Sequence, residues 1–278
     1  MTHSEEKPQE AVILSRAELS YLMDMLDAHY MVGLDGLGDD PPYFYAGNRE
    51  SIIQEGRTSL IQRGLVLPGE NGSSDRAEGL LMKCVITSFF PDSTLLVVRN
   101  IPQLGEQVLI FFRRENYILL HTFPEEFTHR MEPFDHPNQV LDILLDWFPL
   151  HQYPKGETHL RMPVGRFEVM QGLAERGEED AAVGALRDQP LSDDEKLALV
   201  RAIENRAISG SFAVLYIRGE EINDAFSMAV LADSRTAWVL GQPDDDPEGL
   251  WISVIRVGSD FAMVMRGLIR KWLEEAPG

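Results

Sequence analysis

The sequence predicts an α+β fold arranged as a pseudo-two-fold duplication. Each half is read as three helices, a four-stranded antiparallel sheet and a closing helix. Three observations lead there. Strand patterns come in runs instead of alternating with helical ones. The order of patterns is the same in both halves of the 278 residues. Landmarks recur at matched spacing: Leu95-Leu96-Val97-Val98-Arg99 against Val214-Leu215-Tyr216-Ile217-Arg218, and Trp147 against Trp272. The interval from strand to tryptophan is 52 positions in the first half and 58 in the second. The six additional residues fall in the loop-like run 242–249, rich in Asp, Pro and Gly.

The first half is taken as residues 15–150, after a polar, disordered tail over 1–14. Ser15-Arg16-Ala17-Glu18 has the capping-box spacing, and Leu19, Leu22, Met23 and Leu26 follow at helical intervals. A Gly/Asp/Pro loop covers 33–42. A second helix is expected over 49–63, ended by Gly64 as a left-handed cap. A third is expected over 75–89, closing before Pro91. The period then shortens. Strands are read at 94–98, 107–112, 117–121 and 127–132, the second and third joined by a hairpin turn at Arg113-Arg114-Glu115-Asn116. A helix over 138–148 closes the half, with Pro149 as its stop.

Residues 151–163, polar and Pro/Gly-containing, are read as the linker. The second half, 164–278, repeats the plan. Helices are expected over 164–175, 178–186 and from Ser192, where Ser192-Asp193-Asp194-Glu195 is another capping box, on through Ile208. Strands are read at 212–217, 226–231, 236–240 and 251–255, and a closing helix at 260–273. Two such units can share a core or a sheet, which makes the sheet flank and the cleft between helical lobes the places for a partner.

Charge narrows the function. Asp and Glu number 45 against 25 Lys and Arg, a net −20. The first 150 residues hold 23 acidic and 11 basic side chains, so both halves are acidic and the charge is no appended tail. Such a surface repels phosphate backbones and anionic lipid, which argues against nucleic-acid and membrane-surface partners. The starts of the third helices, Asp75-Arg76-Ala77-Glu78 and Asp193-Asp194-Glu195, also lack the cations of a recognition helix. With a polar, acidic start and no apolar run near 20 residues, a soluble cytoplasmic protein is expected. Cys84 is the single cysteine and sits in an apolar run, where it is read as a buried small hydrophobe.

No catalytic, cofactor or metal residue is assigned. His121, His129 and His136 share one β region and can approach each other, but their spacing is not that of a metal site, and half-exposed strand and loop histidines are expected. Asp244-Asp245-Asp246-Pro247-Glu248-Gly249 lacks the ligand spacing of a calcium loop. The 33–42 loop leads to Asp39-Asp40-Pro41-Pro42 and not to a Lys-Ser/Thr helix start, against a phosphate cradle. Ile208-Ser209-Gly210-Ser211 is not a nucleophile elbow. The aromatic triplet Tyr43, Phe44 and Tyr45, in a loop after Pro41-Pro42, is the candidate partner contact, with packing beneath its own loop as the alternative.

Over residues 15–273 the chain resembles the EspG-type chaperones of the type VII (ESX) secretion systems. The resemblance rests on the duplicated plan, on chain length and on Leu60-Ile61-Gln62-Arg63-Gly64-Leu65-Val66, which matches the L-x-x-R-G-L-V usual after an early helix there. It implies cytosolic binding of secreted substrate proteins, without catalysis. The sequence is thus read as a non-catalytic, cytoplasmic protein-binding module. The alternatives are an enzyme or small-ligand receptor with its site at the junction of the halves, and a structural homodimer.

Overall fold

A computed structural model describes residues 10–32, 49–69, 74–125, 127–219, 221–243, 245–246 and 248–274. The chain enters through a short strand, β1 (Val12–Ser15), and turns directly into α1 (Arg16–Met25). Ser15 caps that helix: its Oγ accepts the Glu18 N–H while Glu18 returns a carboxylate to the Ser15 N–H. Helix α2 (Arg49–Gln62) ends at Gly64, whose φ of +70° only glycine adopts without strain. A small ribbon of β2 (Val66–Leu67) and β3 (Arg76–Ala77) leads to α3 (Gly79–Phe89). The expected helix start at Asp75 is therefore four residues early; Asp75 itself is taken up in an ion pair described below.

Four strands follow: β4 (Ser93–Ile101), β5 (Gly105–Arg114), β6 (Tyr117–Thr122) and β7 (Thr128–Phe134). Helix α4 (Pro137–Trp147) closes this part, and a 3-10 turn (Pro149–Gln152) carries the chain onward. Then come β8 (His159–Pro163), α5 (Val164–Glu175), α6 (Glu179–Ala185) and α7 (Asp193–Glu204). Strands β9 (Ile208–Arg218), β10 (Glu221–Ala232), β11 (Ala237–Gly241) and β12 (Trp251–Val257) precede the last helix, α8 (Phe261–Leu273). Ile208 opens a strand and does not extend α7, because Asn205 already ends the helix.

Two expectations about the sheet need correction. Each part contributes five strands and not four, because β1 and β8 add the outermost ones. The expected tail and linker therefore each end in a strand. And the strands form one continuous ten-stranded antiparallel sheet, in the order β1-β7-β6-β5-β4-β9-β10-β11-β12-β8. Its centre is the β4–β9 pair, registered Leu95 opposite Val214 and Val97 opposite Phe212. The two parts thus share one ladder.

Helices cover much of each face of the sheet, which explains the solid apolar runs in its strands. On one face α4 and α8 lie over a core that crosses the centre, including Leu95, Val97, Phe111, Phe212, Val214 and Trp272. The last turn of α8 is tied down by Ser93 Oγ to the Trp272 carbonyl (3.1 Å) and by Arg113 to the Leu273 carbonyl (2.8 Å). On the other face α1–α3 cover Ile110, Phe112, Leu119 and Met131. Helices α5–α7 cover Leu231, Trp238, Leu240 and Val254. Cys84 is buried as expected, and burial pushes its thiol up to about 11, so it stays protonated.

Candidate binding cleft on the sheet

Beside the α5–α7 group, part of the middle of the sheet is left open. A cleft of about 630 Å³ lies there, floored by β9 and β10 with Val98 and Asn100 of β4 at one side. Small side chains leave the space. Ser209, Ser211, Ser227 and Ala229 alternate along two neighbouring strands, so they point to the same face. Gly210 lies between them: a Cβ there would meet the Val98 carbonyl oxygen at 2.5 Å and the Phe148 ring at 2.6 Å. Phe167 and Gln171 of α5 form one wall, and Trp251 and Ile252 of β12 another.

The rim is held by local chemistry. The Val164 N–H donates to the Leu250 carbonyl (3.0 Å), fixing the start of α5 beside β12. Asp246, which composition places in a solvated loop, is buried: its carboxylate accepts the Trp251 N–H at 2.6 Å. Arg161 stacks over the Trp251 ring (5.3 Å) and pairs with Asp245. Leu250 and Trp251 remain exposed at the rim.

The lining has little acid–base chemistry. Among the described residues that line it, Arg206 is the one ionisable side chain, and it is engaged by Glu175 at 2.9 Å. A serine nucleophile needs an adjacent base, and none of the lining residues can act as one. The cleft is an open trough of apolar and hydroxyl groups.

The residues singled out from sequence fall elsewhere. Tyr43, Phe44, Tyr45 and the 33–42 loop lie outside the described residues. His136 precedes α4, where the Gln139 side chain accepts its N–H. His121 and His129 are not half-exposed; both are fully buried and their ring nitrogens meet at 3.0 Å. No group of three or more His, Cys, Asp or Glu suited to a metal occurs among the described residues. The motif Leu60–Val66 is not at the cleft. Arg63 reaches back to both Glu18 oxygens at 2.7 Å and to the Ile13 carbonyl, while Leu60 and Val66 are core. The cleft had a legible signal in Ser209-x-Ser211 and Ser227-x-Ala229, small residues at alternate positions of bulky strands, which mark an uncovered sheet face.

The architecture defines a class: a broad antiparallel sheet backed by two central helices and flanked on its other face by two helical lobes. No family model and no curated protein matches the sequence. Among solved structures, the Mycobacterium tuberculosis type VII secretion system chaperone EspG5, determined in complex with a PE25-PPE41 dimer, is similar in fold. The TM-score is 0.68 at 13% identity, over 96% of this chain and 97% of that one. No helix among the described residues is long and apolar enough to cross a membrane.

Proposed function

We propose that this chain is a cytoplasmic chaperone that binds a secreted protein partner, as type VII secretion chaperones do, and that the partner seats in the cleft over β9 and β10. The observation that carries this reading is the likeness of fold over almost the whole chain to a chaperone captured with a protein dimer. The chemistry of the cleft fits: a wide trough of small and apolar groups suits a protein surface better than a reacting substrate. Tyr43, Phe44 and Tyr45 are proposed as additional contacts. The net charge favours a basic or polar partner over nucleic acid or membrane.

The reading includes a duplication, with halves at 15–150 and 164–278 joined through 151–163. Its support is the strand order. Outward from the centre, β4-β5-β6-β7-β1 runs on one side and β9-β10-β11-β12-β8 on the other.

The test is affinity capture of the tagged chain from its own host, with captured proteins quantified by mass spectrometry. Wild type is expected to retain a partner in near-equal amount. Ser211→Trp, an exposed strand position where tryptophan fits the local propensity, fills the trough and is expected to lose that partner while staying folded. Triple replacement of Tyr43, Phe44 and Tyr45 by Ala is expected to weaken it at least tenfold. Equal capture by wild type and Ser211→Trp contradicts the placement, and no stoichiometric partner contradicts the function. A second reading, a small-ligand receptor, is favoured by the cleft volume, which suits a ligand of drug size.

A further inference from the structure

We propose that the first half of β10 is an open sheet edge that takes up one more antiparallel strand, an extended, basic segment of another protein. This surface goes beyond the chaperone reading and does not depend on it.

β10 has twelve residues, but β11 pairs only with 228–232. Among the described strands, residues 221–227 pair with β9 alone. The ladder shows which of them turn outward. The Ile217 N–H donates to the Asp92 carbonyl, on the β4 side of β9 (3.0 Å). Backbone groups of successive residues alternate sides along an antiparallel strand. Tyr216 and Val214 therefore face β10, opposite Asp224 and Phe226, and Ala225 and Ser227 turn away from β9. The chain that leaves β11 folds on itself. The Asp246 N–H donates to the Pro243 carbonyl (3.1 Å) and the Gly249 N–H to the Asp246 carbonyl (3.2 Å). Pro243 has no N–H to extend the β11 ladder.

The outward Ala225 N–H is met by the Asp224 carboxylate at 2.8 Å. A carbonyl on an incoming strand can take over that N–H, which releases the carboxylate for a cation on the same strand. That exchange sets the chemistry of the occupant. Residues 218–224 hold Glu220, Glu221 and Asp224 against Arg218, so a basic segment is attracted. A second copy of this chain is not, because edge-to-edge pairing sets these carboxylates against their equivalents on two chains of −20 each.

Beneath the same edge, an apolar trough of about 670 Å³ runs beside α8. Phe226 and Met228 lie on the same face of β10 as Asp224, and Val239, Ile255 and Leu268 continue the lining. The cations that line it are engaged, Lys271 over the Phe226 ring (3.8 Å) and Arg270 with Glu274 (3.9 Å). The fitting segment thus carries apolar side chains and a cation on one face, and small polar ones on the other.

The probe is the heptapeptide Lys-Thr-Val-Thr-Val-Thr-Lys with blocked ends, which has that pattern in either direction. Bound to the full chain, it is expected to slow hydrogen exchange at Ala225 and Ser227 by about tenfold or more. The same peptide N-methylated at its three threonines keeps charge and side chains but lacks the donors of antiparallel pairing, and is expected to give no protection. Glu221→Gln/Asp224→Asn keeps an acceptor for the Ala225 N–H, and is expected to weaken the peptide about tenfold. Gly267→Phe, at a groove-lining helix position where a Cβ meets nothing within 4 Å, narrows the trough and is expected to weaken it as well. Ser211→Trp, which fills the cleft, is expected to leave it unchanged. Absence of protection at Ala225 and Ser227, equal protection by the methylated peptide, or loss of the peptide in Ser211→Trp overturns the proposal. So does a doubled mass without peptide that protects the same amides, since the edge would then serve a second copy.

Discussion

Arg63 links three segments that are distant in sequence: its own helix end, the carboxylate of Glu18 and the carbonyl of Ile13. Glu18 is almost fully buried and also accepts from Ser59 (2.7 Å) and the Ser15 N–H. Replacing Arg63 by Ala leaves a buried carboxylate without its cation, a loss of about 3–5 kcal/mol for a fully buried pair. With Arg63 itself 41% exposed, about 2–3 kcal/mol is expected, read as a lowered urea midpoint. Arg176→Ala, which breaks an exposed pair with Glu178, is expected to cost less than about 1 kcal/mol. Acid brings a second residue-scale effect. Arg57, then Tyr21 and the Gly69 N–H, hold the Asp75 carboxyl below the usual carboxylate range. The Thr158 hydroxyl, then Ser192, holds Glu195 at about 2. Both pKa values are depressed in the folded chain, so their contribution is present above about 4 and is lost as pH falls from there towards 2. A denaturant series across pH 4.5 to 2.5 is expected to show stability falling, and less steeply in Glu195→Gln. The motif around Arg63 was legible in the sequence, but its role was not, because its partner lies 45 residues away. The buried histidines were missed for a related reason. With helices over much of both sheet faces, alternation carries no sign of which strand residues meet solvent.

At the scale of elements, one contact decides how the first lobe packs. Gly56 of α2 faces α1 so closely that a Cβ would lie 2.0 Å from the Ala17 carbonyl oxygen. Backbone cannot yield as a flexible side chain does. Gly56→Ala is expected to cost about 3 kcal/mol or more. At Gly165 of α5 a Cβ would meet nothing within 4 Å, so Gly165→Ala is expected to stabilise by about 0.5–1 kcal/mol. Thermal unfolding of both variants, side by side, checks the pair of signs. Most elements were readable from period and caps. Ser15 and Ser192 cap α1 and α7 as their sequence pattern requires. The two edge strands were not readable. β1 has four residues and β8 five, and β8 ends in a proline. The apolar run of β1, Val12-Ile13-Leu14, is too short to tell from the approach to a helix, and β1 hands its last residue to a helix cap.

For the whole molecule, the β4–β9 ladder makes the two parts interdependent. Separating them strips one long partner from each of two central strands. Fragments 1–157 and 158–278, expressed apart, are expected to aggregate or to show no cooperative unfolding; co-expressed, they are expected to associate and restore it. Each folding alone as a monomer would mean that the shared sheet contributes little. The same ladder sets the cleft, because its floor runs from β4 across β9 and β10. That floor could not be read in advance, since sequence patterns do not say whether two sheets join or face each other. The most direct measurement of the central claim is native mass spectrometry of the chain purified gently from its own host. The account predicts the 31.4 kDa chain together with a noncovalently bound protein, and its loss in Ser211→Trp. The chain alone, or carrying only a small molecule of a few hundred daltons in the cleft, would contradict it.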